Sequence, residues 1–331
     1  MVPQRPHEAV WTLANAFVAS RCLHVVAALG VADAIGDDPV PAPELASRCG
    51  ADADALGRVL RLMAAHGIFE ADGGGFRHTP ASRLLRSDHP TSMRAGVAMM
   101  GLPVYTATFA RLEHSLRTGS PAVETVEPRG VWAYLQDHPD EAEAFGHGMT
   151  AKAAVDIAAV LDAYDFSRFA TIADIGGGRG HLLRAILDAA PAARGVLFDR
   201  PQVIGALEFA HDRLTPQAGD FFVDPLPAAD AYVLMEVIHD WPDAEALAIL
   251  GAVRAAAGAG AGATLLVIET VLPERGADPG GQSLDVMMLA MTGGRERTAR
   301  HLGELFASSG FGDPTVIATE GRLRIVEAPA V

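Results

Sequence analysis

Short apolar segments alternate with amphipathic ones through the carboxyl-terminal half of the chain, and this alternation constrains the fold more than any other feature. Four segments have the apolar character of buried strands: 170–178, 194–199, 230–238 and 263–272. Helices are predicted between and after them, at 180–190, 201–214, 242–257 and 298–309. Strands that alternate with helices form a parallel sheet covered by helices on both faces. Residues 166–331 are therefore predicted to form an α/β domain with a Rossmann-like sheet.

The first 95 residues predict a different, mostly helical module. Helical periodicity at 21–35, 41–50 and 51–68 is followed by two short strand candidates around a glycine turn, at 67–82, which is the pattern of a winged helix. A winged helix suggests DNA binding, but nine arginines, no lysine and ten carboxylates leave this part with a net charge of −1. We therefore interpret it as a winged-helix-like module for dimerisation or for a lid, with dimerisation preferred, and DNA binding is the less favoured alternative. Residues 96–165 are predicted to be a helical linker that shapes a substrate pocket.

The composition narrows the class of protein further. A net charge of −15 disfavours a nucleic-acid partner, because an acidic surface repels phosphates. The two cysteines, Cys22 and Cys49, make neither a disulfide framework nor a metal cluster. No uninterrupted apolar segment approaches the roughly 20 residues of a membrane helix, and the amino terminus has no signal-peptide pattern. We expect a soluble cytoplasmic protein without a membrane partner.

The first predicted strand of the α/β domain runs into a glycine cluster, ADIGGGRGHLL. The spacing is Asp174-x-Gly176-x-Gly178-x-Gly180, and the third glycine of a dinucleotide fingerprint would fall where His181 stands. Dinucleotide loops present a helix amino terminus to a pyrophosphate. An acidic residue at the loop instead suits a cationic or amine-bearing ligand. A tight turn without any ligand is the alternative.

Two further acids follow at the ends of later segments. Asp199 closes LFDRP, about where such folds place a carboxylate on ribose hydroxyls. Asp220 in AGDFF is followed by Phe221 and Phe222, which could line a slot for a base. Either acid alone could be a solvated strand end. Together they describe a site for a ribose, an aromatic base and a positively charged centre, which fits S-adenosylmethionine.

The segment VIHDWPD supplies a candidate general base. His239 is predicted to end the third strand, where it could be catalytic or a satisfied structural residue. Glu269, inside the apolar LLVIETVL, needs a partner because an isolated buried carboxylate is unfavourable. Glu296 in GGRERT could instead form a surface ion pair with Arg295 or Arg297.

With these motifs the sequence resembles class I S-adenosylmethionine-dependent O-methyltransferases of the plant caffeate and bacterial polyketide-tailoring type. The resemblance covers nearly the whole chain and rests on an ordered set of motifs: DIGGGRG, LFDRP, AGDFF, IHDWPD, VIETVLPE and DVMMLA…GGRERT. It implies a methyltransferase sheet and a homodimer formed through the amino-terminal domain. It also implies transfer of a methyl group from S-adenosylmethionine to a hydroxyl of a phenolic or polyketide-like aromatic molecule.

The resemblance further implies a role for each matching residue. His239 would remove the proton of the acceptor hydroxyl, with Glu269 and Glu296 flanking and orienting its ring. Met149 and Met288 match positions where the family holds an aromatic substrate between thioethers, although either would ordinarily be core filler. His147 would be a second polar group in the acceptor pocket. The cofactor would be contacted by Asp174, Gly176, Gly178, Asp199, Asp220, Phe221 and Met235, the last in place of a lysine that many relatives carry near the adenine.

The chemistry is consistent without the family name. A phenol has a pKa of about 10 and is mostly protonated near neutral pH, so it needs a base. Histidine titrates near neutrality, and a carboxylate on its other ring nitrogen fixes the tautomer. No metal is expected, because a histidine base makes a cation unnecessary. Two alternatives stay open: methylation of nitrogen or carbon, and decarboxylation, hydroxylation or pericyclic chemistry on the same fold, for which the base would be dispensable.

Overall fold

The computed structural model describes residues 5–207, 210–258 and 262–331. It contains two compact units, Met1–Thr106 with Pro139–Lys152, and Ala107–His138 with Ala153–Val331. The segment 96–165, predicted as a linker, is divided between these units, and its contribution to a substrate pocket stays a prediction.

The amino-terminal part of the first unit is mostly helical. Its helices are α1 (Pro6–Ala28), α2 (Ala42–Cys49), α3 (Ala53–Ala65), α4 (Pro80–Arg83) and α5 (Arg94–Met99), its strands are β1 (Phe69–Asp72) and β2 (Gly75–His78), and a 3-10 helix spans Val31–Ala34. The strands pair antiparallel, from Phe69 with His78 to Asp72 with Gly75. The helix pair and the hairpin lie where the sequence predicts them, over a core that includes Leu45, Leu60 and Phe76.

The helix predicted over 21–35 has different bounds in the structure. α1 begins at Pro6 and ends at Ala28, and the 3-10 helix that follows is separated from it by Gly30. Gly30 has a φ of 67°, a left-handed conformation that ends helices and that glycine adopts without strain. The prediction therefore merged two elements that one glycine divides.

Helix α1 exposes a continuous set of large apolar side chains. Val10, Trp11, Leu13 and Phe17 are 69 to 78% exposed. By length and composition this is one helix, among the described residues, that could cross a membrane. The sequence analysis did not count this helix as long enough to cross a membrane, because Glu8 and Arg21 interrupt its apolar run. A face of this kind on a folded protein marks a contact surface.

The remaining helices of the chain are α6 (Pro103–Phe109), α7 (Leu112–Thr118), α8 (Val131–Asp137), α9 (Pro139–Ala163), α10 (His181–Ala189), α11 (Pro201–Gly205), α12 (Asp243–Ala256), α13 (Pro279–Met291) and α14 (Ala299–Ser308). Short 3-10 helices span Ala122–Thr125, Phe166–Arg168 and Ile238–Asp240. The strands are β3 (Thr171–Ile175), β4 (Arg194–Asp199), β5 (Leu214–Ala218), β6 (Ala231–Met235), β7 (Thr264–Glu269), β8 (Val271–Leu272), β9 (Arg297–Thr298), β10 (Thr315–Ala318) and β11 (Arg324–Pro329).

A seven-stranded sheet with the order β10-β11-β7-β6-β3-β4-β5 forms the centre of the second unit. The pairs from β7 to β5 are parallel, as predicted. β10 and β11, which were not predicted as strands, form a hairpin that adds antiparallel to β7. Because parallel strands end at one edge, the segments after β3, β4, β6 and β7 all leave the sheet on the same side.

Helices cover both faces of this sheet, which confirms the α/β class. Along β6 the side chains alternate: Tyr232 and Leu234 pack with α12 and α14, and Ala231 and Val233 pack with α9 and α10. Strands that are buried on both faces consist of continuous apolar residues, which is why they could be predicted from the sequence.

Two predicted elements end earlier than expected. The helix predicted over 201–214 is observed at Pro201–Gly205, while Leu214 already begins β5 and residues 208 and 209 lie outside the described ones. The strand predicted over 230–238 ends at Met235, because Glu236 has a φ of 54° and turns the chain out of the sheet. His239 is therefore not the last residue of a strand. It lies in the 3-10 helix Ile238–Asp240.

Candidate active site

His239 is enclosed by carboxylates from two other segments. Its ring is buried, with 3% of the residue exposed, and Nδ1 lies 2.6 Å from Oε1 of Glu296. A carboxylate only accepts hydrogen bonds, so Nδ1–H is the donor and the neutral ring keeps Nε2 as the acceptor. This is the tautomer that a base acting through Nε2 requires.

Glu269 reaches His239 differently from the predicted arrangement. The last residue of β7 is buried, and its Oε1 accepts the backbone N–H of His239 at 3.0 Å. Glu269 thus has the partner that its burial was expected to require, but this partner is the main chain of His239. Among the described residues, the hydrogen bond that orients the ring comes from Glu296. Glu269 fixes the position of the turn that carries the histidine.

The charges of this cluster shift the protonation of its members. Burial alone lowers the pKa of His239, but the hydrogen bond to Glu296 and the negative charges of Asp240 and Glu269 outweigh it and raise the pKa to about 9. Burial raises the pKa of Glu269 to about 7, against the opposing charge of His239. The carboxylates therefore stabilise the protonated form of the ring, and a positive charge bound nearby would favour release of that proton.

The segment GGRER packs directly on the backbone of the histidine turn. A Cβ added to Gly294 would overlap the carbonyl oxygen of His239, so only glycine allows this approach. The N–H of Arg295 donates to that same carbonyl at 2.8 Å. Asp285 on α13 accepts the N–H of Glu296 at 2.9 Å. Glu296 is positioned for the ring by these main-chain contacts.

Arg297 secures the other side of the turn and was not predicted as a site residue. Its buried guanidinium donates to the carbonyl oxygens of Ile238 at 3.0 Å and Trp241 at 2.7 Å, and to Oδ1 of Asp243. The sequence alternative in which Glu296 pairs with Arg295 or Arg297 is wrong for Arg297, whose ionic partner is Asp243.

The glycine loop has the geometry of a ligand cradle. Gly176, Gly178 and Gly180 have φ values of 69°, 58° and 70°, which side-chain-bearing residues rarely adopt. A Cβ on Gly178 would meet no atom within 4 Å, so this side of the loop is open. Asp199, at the end of β4, accepts the N–H of Gly178 at 2.8 Å through Oδ2. The carboxylate that the sequence predicts to bind ribose is thereby tied to the loop.

Asp174 lies beneath this loop and is 1% exposed. Neither of its carboxylate oxygens has a hydrogen-bond partner among the described residues, and a Cβ on Gly177 would lie 2.5 Å from its Oδ2. Burial and the charge of Asp199 raise the pKa of Asp174 to about 7. Its predicted contact with the cofactor stays a prediction.

Three aromatic rings gather at the mouth of the loop. Phe221, Phe222 and Trp241 meet edge to face, with ring centroids 4.8 to 5.8 Å apart. Phe221 also lies 3.8 Å from the Cβ position of Gly176. Asp220 is exposed beside them and accepts the N–H of Phe222. Trp241 was missed as a site residue, although its place two residues after His239 in HDW was a usable signal.

A cavity of about 210 Å³ lies next to these rings. Trp132, Trp241, Met291 and Thr292 are among its lining residues. Trp132 is also stacked by the guanidinium of Arg200, which follows Asp199, at 5.2 Å. The cavity is thus bounded by the histidine turn, the end of α13 and the start of α8.

The structure brings only part of the predicted acceptor site together. Met288 is buried on α13, one turn before Thr292. Met149 is half-buried and His147 is exposed beside Glu143, both on the part of α9 that belongs to the first unit, so their approach to His239 stays a prediction. Met235 ends β6 and is half-buried. Within the described residues no group of three or more His, Cys, Asp or Glu could hold a metal ion.

Two family models match the chain. An O-methyltransferase domain matches residues 109–312, and an O-methyltransferase dimerisation domain matches residues 11–88. The chain belongs to the O-methyltransferase family. The dimerisation match begins at Trp11 and includes Leu13 and Phe17 of the exposed face of α1.

Curated relatives and solved structures of this O-methyltransferase agree with that assignment. It is 42% identical to a phenazine O-methyltransferase of Lysobacter antibioticus over 93% of this chain and 92% of the relative. It is 32% identical to a phenazine-1-carboxylate N-methyltransferase of Pseudomonas aeruginosa over 93% of each chain. The crystal structure of human N-acetylserotonin methyltransferase in complex with S-adenosylmethionine superimposes with a TM-score of 0.91 at 27% identity, covering 99% of this chain and 98% of that one.

The cofactor of this O-methyltransferase is S-adenosylmethionine. The residues present fit it: an open glycine loop, a carboxylate tied to that loop at Asp199, and aromatic rings beside it at Phe221 and Trp241. The enzyme is an S-adenosylmethionine-dependent O-methyltransferase of the kind found in bacterial secondary metabolism.

Proposed function

We propose that this enzyme methylates a hydroxyl of a polycyclic aromatic molecule, with His239 as the general base. The observation that carries the proposal is the 2.6 Å contact between Nδ1 of His239 and Glu296, which leaves Nε2 as the only ring nitrogen able to take a proton. Packing alone does not require several carboxylates around a buried histidine that already has one hydrogen-bond partner. Proton removal from an acceptor explains the arrangement.

The bound cofactor supplies an electrophilic methyl group on a positively charged sulfur. The protein's part is to position the acceptor and to accept its proton at Nε2 of His239. Glu296 stabilises the resulting imidazolium, and Glu269 and Arg297 keep the turn from shifting as the charge develops. Holding the two reactants in line accounts for much of the remaining rate.

The acceptor class is argued from the cavity and from the relatives. The lining side chains Trp132, Trp241 and Met291 present flat and polarisable surfaces to a ring system. The relative from Lysobacter antibioticus is named for a phenazine. We therefore propose a hydroxylated tricyclic or naphthalene-sized aromatic as the acceptor.

Methylation of a ring nitrogen is the second candidate, because one relative is named as a phenazine-1-carboxylate N-methyltransferase. A pyridine-like nitrogen already offers a lone pair and has no proton to lose. The base would then be dispensable. The presence of the His239 and Glu296 pair favours oxygen over nitrogen.

A single pair of assays separates these candidates. Wild type and H239Q are supplied with labelled S-adenosylmethionine and either a hydroxyphenazine or phenazine-1-carboxylate. Loss of about 100-fold or more in transfer to the hydroxyphenazine in H239Q supports the proposal. Equal transfer to phenazine-1-carboxylate by both proteins supports N-methylation instead.

Calorimetric titration of S-adenosylhomocysteine is the control for that assay. H239Q should bind it like wild type, whereas Asp199→Ala should abolish binding because the carboxylate at the glycine loop is lost. Intact binding with no transfer to either acceptor would refute the acceptor class and leave the cofactor site standing.

We also propose that the enzyme is a cytoplasmic homodimer. The support is the match to a dimerisation domain and the exposed apolar face of α1, which a second copy would cover. We further propose the domain boundaries predicted from the sequence, at residues 95 and 165.

A further inference from the structure

The turn between β6 and the histidine contains a backbone conformation that needs an explanation. Glu236 has a φ of 54°, the single positive value of a non-glycine residue among those described. Glutamate rarely adopts this region, because its Cβ crowds the neighbouring carbonyl. Its N–H still donates to Ile268 on β7 at 3.0 Å, so the residue is held at the end of the sheet. Strain of this kind persists where surrounding contacts fix it.

Arg322 supplies such contacts. Its Nη2 lies 2.8 Å from Oε1 of Glu236 and 2.8 Å from Oδ2 of Asp156, and both carboxylates are buried. Nη1 lies 3.5 Å from the hydroxyl of Thr270, the residue after Glu269. One guanidinium from the β10–β11 hairpin thus joins α9 to the ends of β6 and β7. Removing the cation of a buried ion pair is strongly destabilising, because it leaves an uncompensated buried charge.

The conformation at Glu236 decides what lies beneath the cofactor loop. The next residue, Val237, packs against Gly176, where an added Cβ would lie 3.0 Å from Cγ2 of Val237. Two residues later the chain reaches His239. A rotation about residue 236 would therefore withdraw Val237 from the loop and move the start of the histidine turn.

We propose that Arg322 is a positioning residue for the cofactor site, and that it acts by holding Glu236 in its left-handed conformation. Without the guanidinium, Glu236 would turn toward solvent and relax to a negative φ. The glycine loop would lose its support from Val237. A glycine at position 236 would keep the conformation without help, because it has neither a carboxylate to pair nor a Cβ to crowd.

The test is a mutant cycle read by calorimetric titration of S-adenosylhomocysteine. Arg322→Met should weaken binding on the order of tenfold, which corresponds to about 1.4 kcal/mol. E236G should bind like wild type, and adding E236G to Arg322→Met should restore the affinity to within about threefold of wild type. Arg324→Met is the matched control, since Arg324 lies on the same hairpin and its guanidinium donates to the carbonyls of Gly321 and Leu323.

Two results would overturn the proposal. One is wild-type affinity in Arg322→Met, and the other is an equal loss with and without E236G, which would mean that Arg322 acts by another route. If Arg322→Met does not fold, as judged by its melting temperature, E236A and E236G are compared with Arg322 intact. Alanine restores the crowding that glycine removes, so E236A should bind on the order of tenfold more weakly than E236G, and equal affinities would refute the inference.

Discussion

The contact between Glu296 and His239 leads to a quantitative expectation for Glu296→Gln. The substitution keeps the shape of the side chain and removes its charge. A hydrogen bond to a charged group contributes about 1.5–3 kcal/mol. At about 1.36 kcal/mol per pKa unit, its loss lowers the pKa of His239 by about 1–2 units. The pKa of about 9 in the wild type would thus fall to roughly 7–8.

The activity should fall although more of the histidine is neutral at pH 7. A glutamine can turn its amide N–H toward Nδ1, and Nε2 then carries the proton and cannot accept one. Loss of the correct tautomer and of base catalysis together predict a decrease in kcat of about 10²–10⁴-fold. The acidic limb of the kcat/KM profile should also move down by about 1–2 pH units.

The measurement is the rate of transfer from labelled S-adenosylmethionine between pH 6 and 10, alongside an NMR titration of the histidine ring in the protein without acceptor. Glu274→Gln is the control, because Glu274 pairs with Arg300 at the surface and its side chain is 48% exposed. It should keep kcat and the profile. A kcat within threefold of wild type in Glu296→Gln, or an unmoved acidic limb, would refute the assignment of the base.

Three further expectations follow from single positions. Gly294→Ala should reduce kcat about 100-fold or more, since the added Cβ would displace the carbonyl of His239. Gly251→Ala, in open space on α12, is the control and should leave kcat unchanged. Steady-state kinetics measures both. Asp174 binds its proton more tightly folded than unfolded, so its contribution to stability is present below about pH 4 and is lost as the pH rises through about 7. In Asp174→Asn the decrease in melting temperature between pH 5 and 8 should therefore shrink, and an unchanged decrease would mean that this carboxyl does not titrate there. Phe17→Asp, at a side chain 70% exposed on α1, should shift the mass measured by light scattering from dimer to monomer, and a wild type that is already monomeric would remove the proposed interface.

The sequence predicted best what is local. Buried parallel strands, the left-handed glycines of the loop and the acid that closes β4 each depend on a few adjacent residues. The apolar residues around Glu269 in the sequence were enough to predict that this carboxylate needs a partner, and the structure provides one. These features follow from backbone chemistry and burial, which a short segment already contains.

Contacts between distant segments were not predictable in the same way. The antiparallel addition of β11 to β7 joins residues about 60 positions apart, and the sequence of neither strand indicates with which strand it pairs. Gly294 is needed because of a carbonyl 55 positions earlier, and Arg297 finds its acceptors at Ile238 and Trp241. β6 ends before Glu236, whose carboxylate pairs with Arg322 from the β10–β11 hairpin, 86 positions later.

The burial of His239 has a consequence for the step that follows methyl transfer. In the proposed mechanism, a base that is 3% exposed takes up the acceptor's proton out of reach of water, and it must return that proton to solvent before the next cycle. Asp240, whose Oδ1 lies 3.8 Å from Nε2 and whose side chain is 17% exposed, is the carboxylate that faces both the ring and the outside. We expect departure of the product to open this route, so that regeneration of the base is tied to product release.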